Sequence, residues 1–446
     1  MSCTMTRRAS IKALSAGALA FPFVTRGEQA RARRLRFGIV GYGSIGEVIT
    51  DQLLMLIKTG EQVAVSAICD IWEYRQKKGA LHVKHMSGHE PRLYTDCSEM
   101  LRKEKGKLDA VIVASPDSFH EKHVLACLEA GVHVFCESPL ADSVAAAQRI
   151  VSAVKQSGLV FHYSTLVERT PWAQYCKDHF IGKDKLLGDV VVADSEMWVF
   201  PKRRRESAAT SKPEDAILSR YGYDSVEEFL NWRYSGKFGV SHDLFWFIQQ
   251  ADYFNELLPR RPAFLIASRS DIDGVQLAKA INATVEYVHA SGKTLCTSRF
   301  LPLARGHNFH TFKLTGQHGI VLHNMSAERY VQQTNAIPGT ESGDFHDNNE
   351  MRWKDAYENG VLGRGYEQAK EMDGYVPSPF QRGHNGKFHF PDHAKFGDQS
   401  CGVRNFIHSI CGASQVSGFV QNGLASMILA EAVLESASTG KKVRLT

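Results

Sequence analysis

Apolar positions in the first part of the chain alternate between the spacing of strands and the spacing of helices. Leu35–Val40 is a short apolar run, and residues 48–57 carry apolar side chains at helical spacing. Further runs of strand length follow at 63–68, 108–114, 132–136 and 159–163, each separated from the next by helix-like patterns. Repeated strand–helix pairs with short links predict a doubly wound parallel sheet, with ligands at the carboxyl ends of its strands.

The pattern changes after Gly188. Longer runs with polar–apolar alternation occupy 190–200, 263–268, 282–289, 294–300 and 309–314. They predict an open, mainly antiparallel sheet with one covered face. Apolar spacing also predicts helices at 238–254, 402–411 and 422–438. The fold class is therefore α/β: an N-terminal Rossmann domain with a doubly wound parallel sheet, followed by a C-terminal α+β domain.

The predicted domains are 35–163 and 164–446. Within the second, residues 334–396 are poor in periodic apolar side chains and form a loop-rich excursion. The C-terminal helix can pack back on the Rossmann domain. Residues 1–34 are interpreted as a twin-arginine signal, because Arg7-Arg8 precede a short apolar run and a small-x-small triplet at 30–32. This predicts export, to the periplasm or an equivalent compartment.

Charge and cysteine content exclude several classes of protein. The net charge is only +5 over 446 residues, and much of it comes from the first 36, so no nucleic-acid partner is expected. No apolar stretch reaches the roughly 20 residues that a membrane-spanning helix needs. The nine cysteines contain no C-x-x-C pair, and the spacing of His384, His389 and His393 matches no standard metal site. No metal is therefore expected.

A glycine motif directly follows the first predicted strand. Gly41 allows a tight turn, Gly43 lets the backbone approach a pyrophosphate, and Gly46 lets the helix pack closely on the strand. The helix N-terminus then offers N–H groups to the phosphates. Asp70 ends the second strand, where a carboxylate bonds ribose hydroxyls and repels a 2′-phosphate. The motif predicts NAD as the cofactor, with NADP less favoured.

These segments together resemble the Gfo/Idh/MocA oxidoreductases, the relatives of glucose–fructose oxidoreductase and inositol dehydrogenase. The resemblance rests on residues 41–46, Asp70, 94–96, 114–120, 131–140, 187–190, 241–244 and 441–445. It implies a pyridine dinucleotide on the first domain and a sugar or cyclitol against the open sheet of the second. By this resemblance the chain forms a homo-oligomer. The expected cofactor-binding residues are Gly41, Tyr42, Gly43, Ser44, Ile45, Gly46, Asp70, Ser115, Pro116, His120, Glu137 and Ser138.

The sequence departs from the family pattern at two positions. In the family, the lysine of a Glu-Lys-Pro motif and an aspartate–histidine pair four residues apart handle the hydroxyl proton. Here Ser138 takes the lysine position and Phe238 the aspartate position, which leaves His242. Because an imidazole titrates near neutral pH, His242 is the expected acid–base residue, with His162 and Tyr163 as further proton carriers.

Three functions remain open from the sequence. The first is an NAD(H)-dependent oxidoreductase acting on a hydroxyl or keto group of a sugar, cyclitol or glycoside. The second is an NAD-dependent glycoside-cleaving enzyme, in which transient oxidation permits elimination and no net redox change occurs. The third is a non-catalytic sugar-binding protein that carries NAD.

Overall fold

Six parallel strands form the first sheet, in the order β3-β2-β1-β4-β5-β6. The strands are β1 Leu35–Val40, β2 Val63–Cys69, β3 Arg92–Tyr94, β4 Ala110–Val113, β5 His133–Glu137 and β6 Phe161–Ser164. This strand order is that of a dinucleotide-binding Rossmann sheet, which reverses between β1 and β4. The predicted doubly wound parallel sheet is confirmed.

Five helices connect these strands. They are α1 Ser44–Lys58, α2 Glu73–Ser87, α3 Cys97–Lys103, α4 His120–Glu129 and α5 Val144–Ser157. A short 3-10 turn, Asp117–Phe119, precedes α4. Strand β2 is buried along its whole length, as expected for a strand covered on both faces.

The structure is a computed structural model that describes residues 34–167, 177, 181–182, 187–199, 212–235, 237–258, 261–272, 275–289, 292–302, 309–324, 329–334, 381–382, 388–389, 401–412 and 420–445. The proposed export signal, residues 1–34, lies outside the described residues except for Arg34. Most of the predicted excursion also lies outside them, apart from Thr334 and the strands β14 Gln381–Arg382 and β15 Phe388–His389.

Eight strands form the second sheet, in the order β13-β12-β11-β7-β10-β9-β8-β16. They are β7 Val190–Val199, β8 Arg261–Ile272, β9 Val275–His289, β10 Gly292–Pro302, β11 Phe309–Gly316, β12 Gly319–Asn324, β13 Arg329–Thr334 and β16 Val443–Arg444. All neighbours pair antiparallel except β7 and β10, which run parallel. The expected mainly antiparallel sheet is confirmed.

Further helices lie in the second half of the chain, and α11 Val420–Thr439 contacts strands of both sheets. These helices are α6 Asp215–Arg220, α7 Val226–Leu230, α8 Trp232–Ser235, α9 His242–Leu257, α10 Cys401–Ile410 and α11 Val420–Thr439. Helix α9 packs on β9 and β10, and α11 contacts α9, β8, α5 and β6. Helix α10 lies against α1 and β5, where Phe406 makes edge contacts with Phe37 and Phe135. The carboxyl edge of the first sheet thereby meets side chains of α9 and α11. None of the described helices is both long and apolar enough to cross a membrane.

Candidate active site

The turn after β1 is shaped by its glycines. Gly41 has a φ of 90°, and a Cβ there would lie 2.6 Å from the carbonyl oxygen of Ala114. A Cβ on Gly46 would lie 1.9 Å from the Gly41 carbonyl oxygen, so only glycine allows α1 to pack this close. A Cβ on Gly43, in contrast, would meet only Arg75 Nη1, at 3.7 Å. The backbone at Gly43 therefore faces open space of the kind that a pyrophosphate fills.

The first turn of α1 completes this cradle. Gly43 is the N-cap residue and supplies no side-chain hydrogen bond to the helix, so the positive end of the helix dipole stays available for an anion. Ser44 and Ile45 are exposed at this end. Tyr42 is buried instead, and its hydroxyl lies 3.0 Å from His82 Nδ1. Only the backbone of Tyr42 can therefore contact a cofactor here.

Asp70 lies at the carboxyl end of β2, directly beside the glycine turn. Its carboxylate accepts backbone hydrogen bonds from Tyr42 at 2.8 Å and from Trp72 at 2.9 Å, and the side chain is buried. The guanidinium of Arg75 lies 3.8 Å from the same carboxylate. It also lies over the rings of Trp72 and Phe229, at 5.2 Å and 4.9 Å from their centroids. Asp70 was predicted from the sequence, whereas Arg75 was not.

The loop after β4 is held by His120. The two ring nitrogens of His120 lie 2.8 Å from the Pro139 carbonyl oxygen and 2.7 Å from that of Ser115. This histidine therefore ties the end of β4 to the end of β5. The hydroxyl of Ser115 lies 2.9 Å from His123 Nδ1, and Pro116 is the N-cap residue of the 3-10 turn. His120 and the Ser115 side chain thus support the walls of the site.

A network of buried polar side chains lies at the ends of β5 and β6. The Ser138 hydroxyl donates to Asp252 Oδ2 at 2.9 Å. It also accepts hydrogen bonds from Tyr163 Oη at 2.8 Å and from Gln249 Nε2 at 3.0 Å. Ser426 Oγ donates to Asp252 Oδ1 at 2.5 Å. The network therefore joins the Rossmann sheet to α9 and α11.

Asp252 is the only carboxylate among the partners of Ser138 in the described part of the chain. Burial raises the pKa of Asp252 to about 7, against the lowering effect of hydrogen bonds from Ser426, Ser138 and Tyr163. Burial also raises the pKa of Tyr163 well above its ordinary value. The neighbouring Glu137 accepts a hydrogen bond from Ser164 at 2.8 Å.

The three predicted proton carriers lie in three different places. Tyr163 belongs to the network with Ser138. His162, the preceding residue of β6, points to the opposite face, where its ring stacks on Phe135 with centroids 4.8 Å apart. It is buried there, also close to Phe406, as part of the core. The structure thus separates His162 from the site because successive residues of a strand face opposite ways.

His242 begins α9, seven residues before Gln249. Its Nε2 accepts a hydrogen bond from the indole N–H of Trp246 at 3.1 Å. Because an indole only donates, the neutral ring must carry its proton on Nδ1. That Nδ1 is buried and meets no partner among the described residues. Burial, followed by the nearby Arg233 cation, lowers the pKa of His242 to about 4.

Aromatic side chains surround His242. Its ring centroid lies 4.8 Å from that of Tyr234, 6.1 Å from Trp246 and 6.2 Å from Phe300. Phe238, at the position that the family resemblance assigned to an aspartate, is buried elsewhere, stacked on Tyr223 at 4.0 Å. Phe238 therefore contributes to the core beneath α7.

Gln249 and Asp252 were not predicted from the sequence. A signal did exist in the sequence: Gln249, Gln250 and Asp252 interrupt the otherwise apolar, aromatic stretch 244–254. Polar residues in such a helix must find partners when they are buried. No motif indicated that their partners are Ser138, Tyr163 and residues of α11.

Comparisons with known proteins agree with this geometry. Residues 35–165 match the family model described as "Oxidoreductase family, NAD-binding Rossmann fold". The chain is 36% identical over 132 residues to an inositol 2-dehydrogenase of Acidothermus cellulolyticus, covering 30% of this chain and 36% of that protein. It is 27% identical over 198 residues to 4-carboxy-2-hydroxymuconate-6-semialdehyde dehydrogenase of a Sphingobium strain, covering 44% and 58%. The chain thus spans between about a third and 58% of the length of these relatives.

Solved structures resemble the chain over most of its length. A levoglucosan dehydrogenase in complex with NADH and L-sorbose is 16% identical, with a TM-score of 0.68 over 93% of this chain and 99% of that one. At this identity the likeness shows the fold alone. Residues 35–165, with their glycine cradle and Rossmann topology, thus match the NAD-binding domain of the Gfo/Idh/MocA oxidoreductases.

Proposed function

We propose that the protein is an NAD(H)-dependent oxidoreductase that acts on a secondary hydroxyl, or the corresponding ketone, of a sugar or cyclitol. The observation that carries this proposal is the position of the Ser138 network. Ser138 follows β5, on the side of β1 opposite Asp70, where the second half of a Rossmann sheet receives the second half of a dinucleotide. The relatives named inositol 2-dehydrogenase support a carbohydrate or cyclitol substrate.

Residues of the first domain fit the dinucleotide. The open face of Gly43 and the start of α1 accommodate the pyrophosphate, and Asp70 bonds the adenosine ribose. When bound, NAD supplies the acceptor of a hydride. His120 holds the loops after β4 and β5 together through its contacts with the Ser115 and Pro139 carbonyl oxygens. The nicotinamide half of the dinucleotide would lie between these two loops.

The surroundings of His242 fit the apolar faces and hydroxyls of a sugar. Tyr234 and Trp246 offer aromatic surfaces, and the buried Nδ1–H of His242 is a hydrogen-bond donor for a substrate oxygen. Leaving such a donor unpaired costs roughly 1–3 kcal/mol, which binding of an oxygen would recover. With Nε2 engaged by Trp246 and a pKa lowered to about 4, this histidine is better suited to donate than to act as the base predicted from sequence.

A substrate screen tests this function and separates the alternatives. The purified protein is incubated with NAD⁺ and a panel that includes myo-inositol, levoglucosan, glucose and aryl glycosides. NADH formation with a polyol or sugar supports the proposal. Release of free sugar without a net change in NADH indicates glycoside cleavage by transient oxidation, while nucleotide binding with neither product indicates a sugar-binding protein.

His242 variants then identify the role of that ring. In His242→Asn the amide nitrogen takes approximately the place of Nδ1, whereas in His242→Gln it takes that of Nε2. If His242 donates to the substrate, the Asn variant keeps the lower KM of the two. A general base at His242 would instead be indicated by equal, large losses of kcat in both variants.

A further inference from the structure

A continuous path of hydroxyl groups leads from the edge of the first sheet to a buried carboxylate. Ser138 is 8% exposed and Asp252 only 1%. Their side chains are joined by a hydrogen bond of 2.9 Å, and Tyr163 Oη lies within hydrogen-bond distance of both. Ser138 is therefore the outer end of this path and Asp252 its inner end.

The hydrogen-bond count shows that the path can rearrange. Ser138 Oγ donates to Asp252 and accepts from Tyr163 and Gln249, so both of its lone pairs are occupied. Tyr163 has one proton but three oxygens within reach: Ser138 Oγ at 2.8 Å and the two Asp252 oxygens at 3.2 and 3.1 Å. When Tyr163 turns its proton to Asp252, one lone pair of Ser138 is released for a new donor.

We propose that Ser138, Tyr163 and Asp252 form a proton relay that receives the hydroxyl proton of the substrate, with Asp252 as its final acceptor. This inference rests on the proposed function. In the oxidation direction the substrate C–H hydrogen leaves as hydride to NAD⁺, and the carbinol C–O bond becomes a double bond. The O–H proton passes to Ser138 Oγ, whose own proton passes to Asp252 Oδ2, so that Asp252 ends as a neutral acid. Reduction of the ketone runs the same transfers backwards.

The groups around Asp252 suit a carboxyl that changes its charge. Its hydrogen-bond donors, Ser138, Tyr163 and Ser426, are all neutral, and no lysine or arginine pairs with it among the described residues. Among the described residues, the ionisable groups that face it are Tyr163 on β6, Glu256 one turn later on α9 and Tyr287 on β9.

Glu256 is itself paired with Lys177, at 2.8 Å. Both tyrosines have pKa values raised above the ordinary range, so they stay protonated at neutral pH. The change of charge is therefore assigned to Asp252, whose pKa of about 7 suits a group that accepts a proton near neutral pH.

The first test needs no substrate. Isotope-edited infrared spectra of the NAD-loaded protein and of Asp252→Asn are recorded from pH 5 to pH 9. The relay requires one buried carboxyl band that titrates in this range and is missing from the variant. If no such band is found, or if it is also present in Asp252→Asn, the relay is refuted whether or not the enzyme activity is ever established.

The second test uses the substrate identified by the screen above. A positioned proton acceptor contributes about 10²–10⁴ in rate, so Asp252→Asn should lower kcat at least about hundredfold with unchanged affinity for NAD⁺. Ser138→Ala should lower kcat to a similar extent. Asp252→Asn should also abolish the inflection of the kcat–pH profile near neutral pH. Retention of both kcat and the inflection in Asp252→Asn contradicts the relay while leaving the oxidoreductase function intact.

Two tyrosine variants control for packing. Tyr163→Phe and Tyr287→Phe each delete one oxygen from a fully buried ring. The hydroxyl of Tyr287 donates to Asn255 at 2.7 Å, and the described hydrogen bonds link it to Asp252 indirectly, through Asn255 and Ser426, and not to Ser138. Tyr163→Phe should change the pH profile and Tyr287→Phe should not. Equal effects of the two variants on the profile would indicate a merely structural network and overturn the proposal.

Discussion

Replacing Asp252 by asparagine should stabilise the protein increasingly as the pH rises from about 4 to 7. The carboxyl is buried, with a pKa raised from 3.8 to about 7 in the folded protein. Below pH 4 it is neutral in both the folded and the unfolded chain. Between pH 4 and 7 the unfolded chain loses this proton while the folded chain retains it, so the wild-type protein loses stability. Above pH 7 the difference stays constant.

The size of this effect follows from the shift. About three pKa units at 1.36 kcal/mol each correspond to about 4 kcal/mol in the free energy of unfolding. Asparagine keeps the shape of the side chain but does not ionise, so the variant lacks this pH dependence. The assay is urea denaturation of the wild-type and variant proteins at several pH values between 4 and 8.5.

Tyr287→Phe serves as the reference, because it removes a buried hydroxyl whose pKa is raised and which therefore does not titrate in this range. Its effect on the free energy of unfolding should be the same at every pH. If the difference between wild type and Asp252→Asn is also independent of pH, Asp252 does not hold a proton in the folded state and the reasoning fails.

Three further predictions concern the cofactor site and the pocket. Gly43→Ala should weaken NAD⁺ binding at least tenfold with little change in Tm. Gly46→Ala should instead lower the free energy of unfolding by more than about 2 kcal/mol, because its Cβ would lie 1.9 Å from a carbonyl oxygen. Asp70→Asn should shift the preference between NAD⁺ and NADP⁺ at least tenfold towards NADP⁺, because the Arg75 guanidinium, 3.8 Å from the Asp70 carboxylate, remains available for a 2′-phosphate. Parallel titrations that show an unchanged ratio would contradict this. The pKa of His242 is about 4, so its imidazole should not titrate between pH 5.5 and 8. In Asp252→Asn, the profile of kcat/KM against pH should therefore show no inflection in this range. If an inflection is found there and disappears when His242 is also replaced, the prediction is wrong.

The sequence was sufficient to predict the first domain because each of its signals is local. The strand before Gly41, the glycine spacing and the acid at Asp70 lie within 40 residues, and each has one geometric reason for its position. Strand alternation likewise indicated the second sheet. The parallel pairing of β7 with β10 was not predictable, since their residues are about a hundred positions apart in the chain.

The network around Ser138 could not be predicted from the sequence, because its members are far apart in the chain. Its members come from β5, β6, α9 and α11, and the contact between Ser426 and Asp252 joins residues 174 positions apart. The chain shows that a lysine is missing and that Asp252 interrupts an apolar helix. Only the packing of α9 against the sheet shows that these two facts belong together. The export signal and the pairing of copies stay predictions.

Calorimetric titration with NAD⁺ and NADH tests the central claim most directly. The purified protein should bind one equivalent of each nucleotide, and Gly43→Ala, with an unchanged Tm, should lose most of this affinity because its methyl group occupies the place of the pyrophosphate. If the wild-type protein neither contains nor binds a nicotinamide nucleotide, or if Gly43→Ala binds it with equal affinity, this cradle is not the pyrophosphate site.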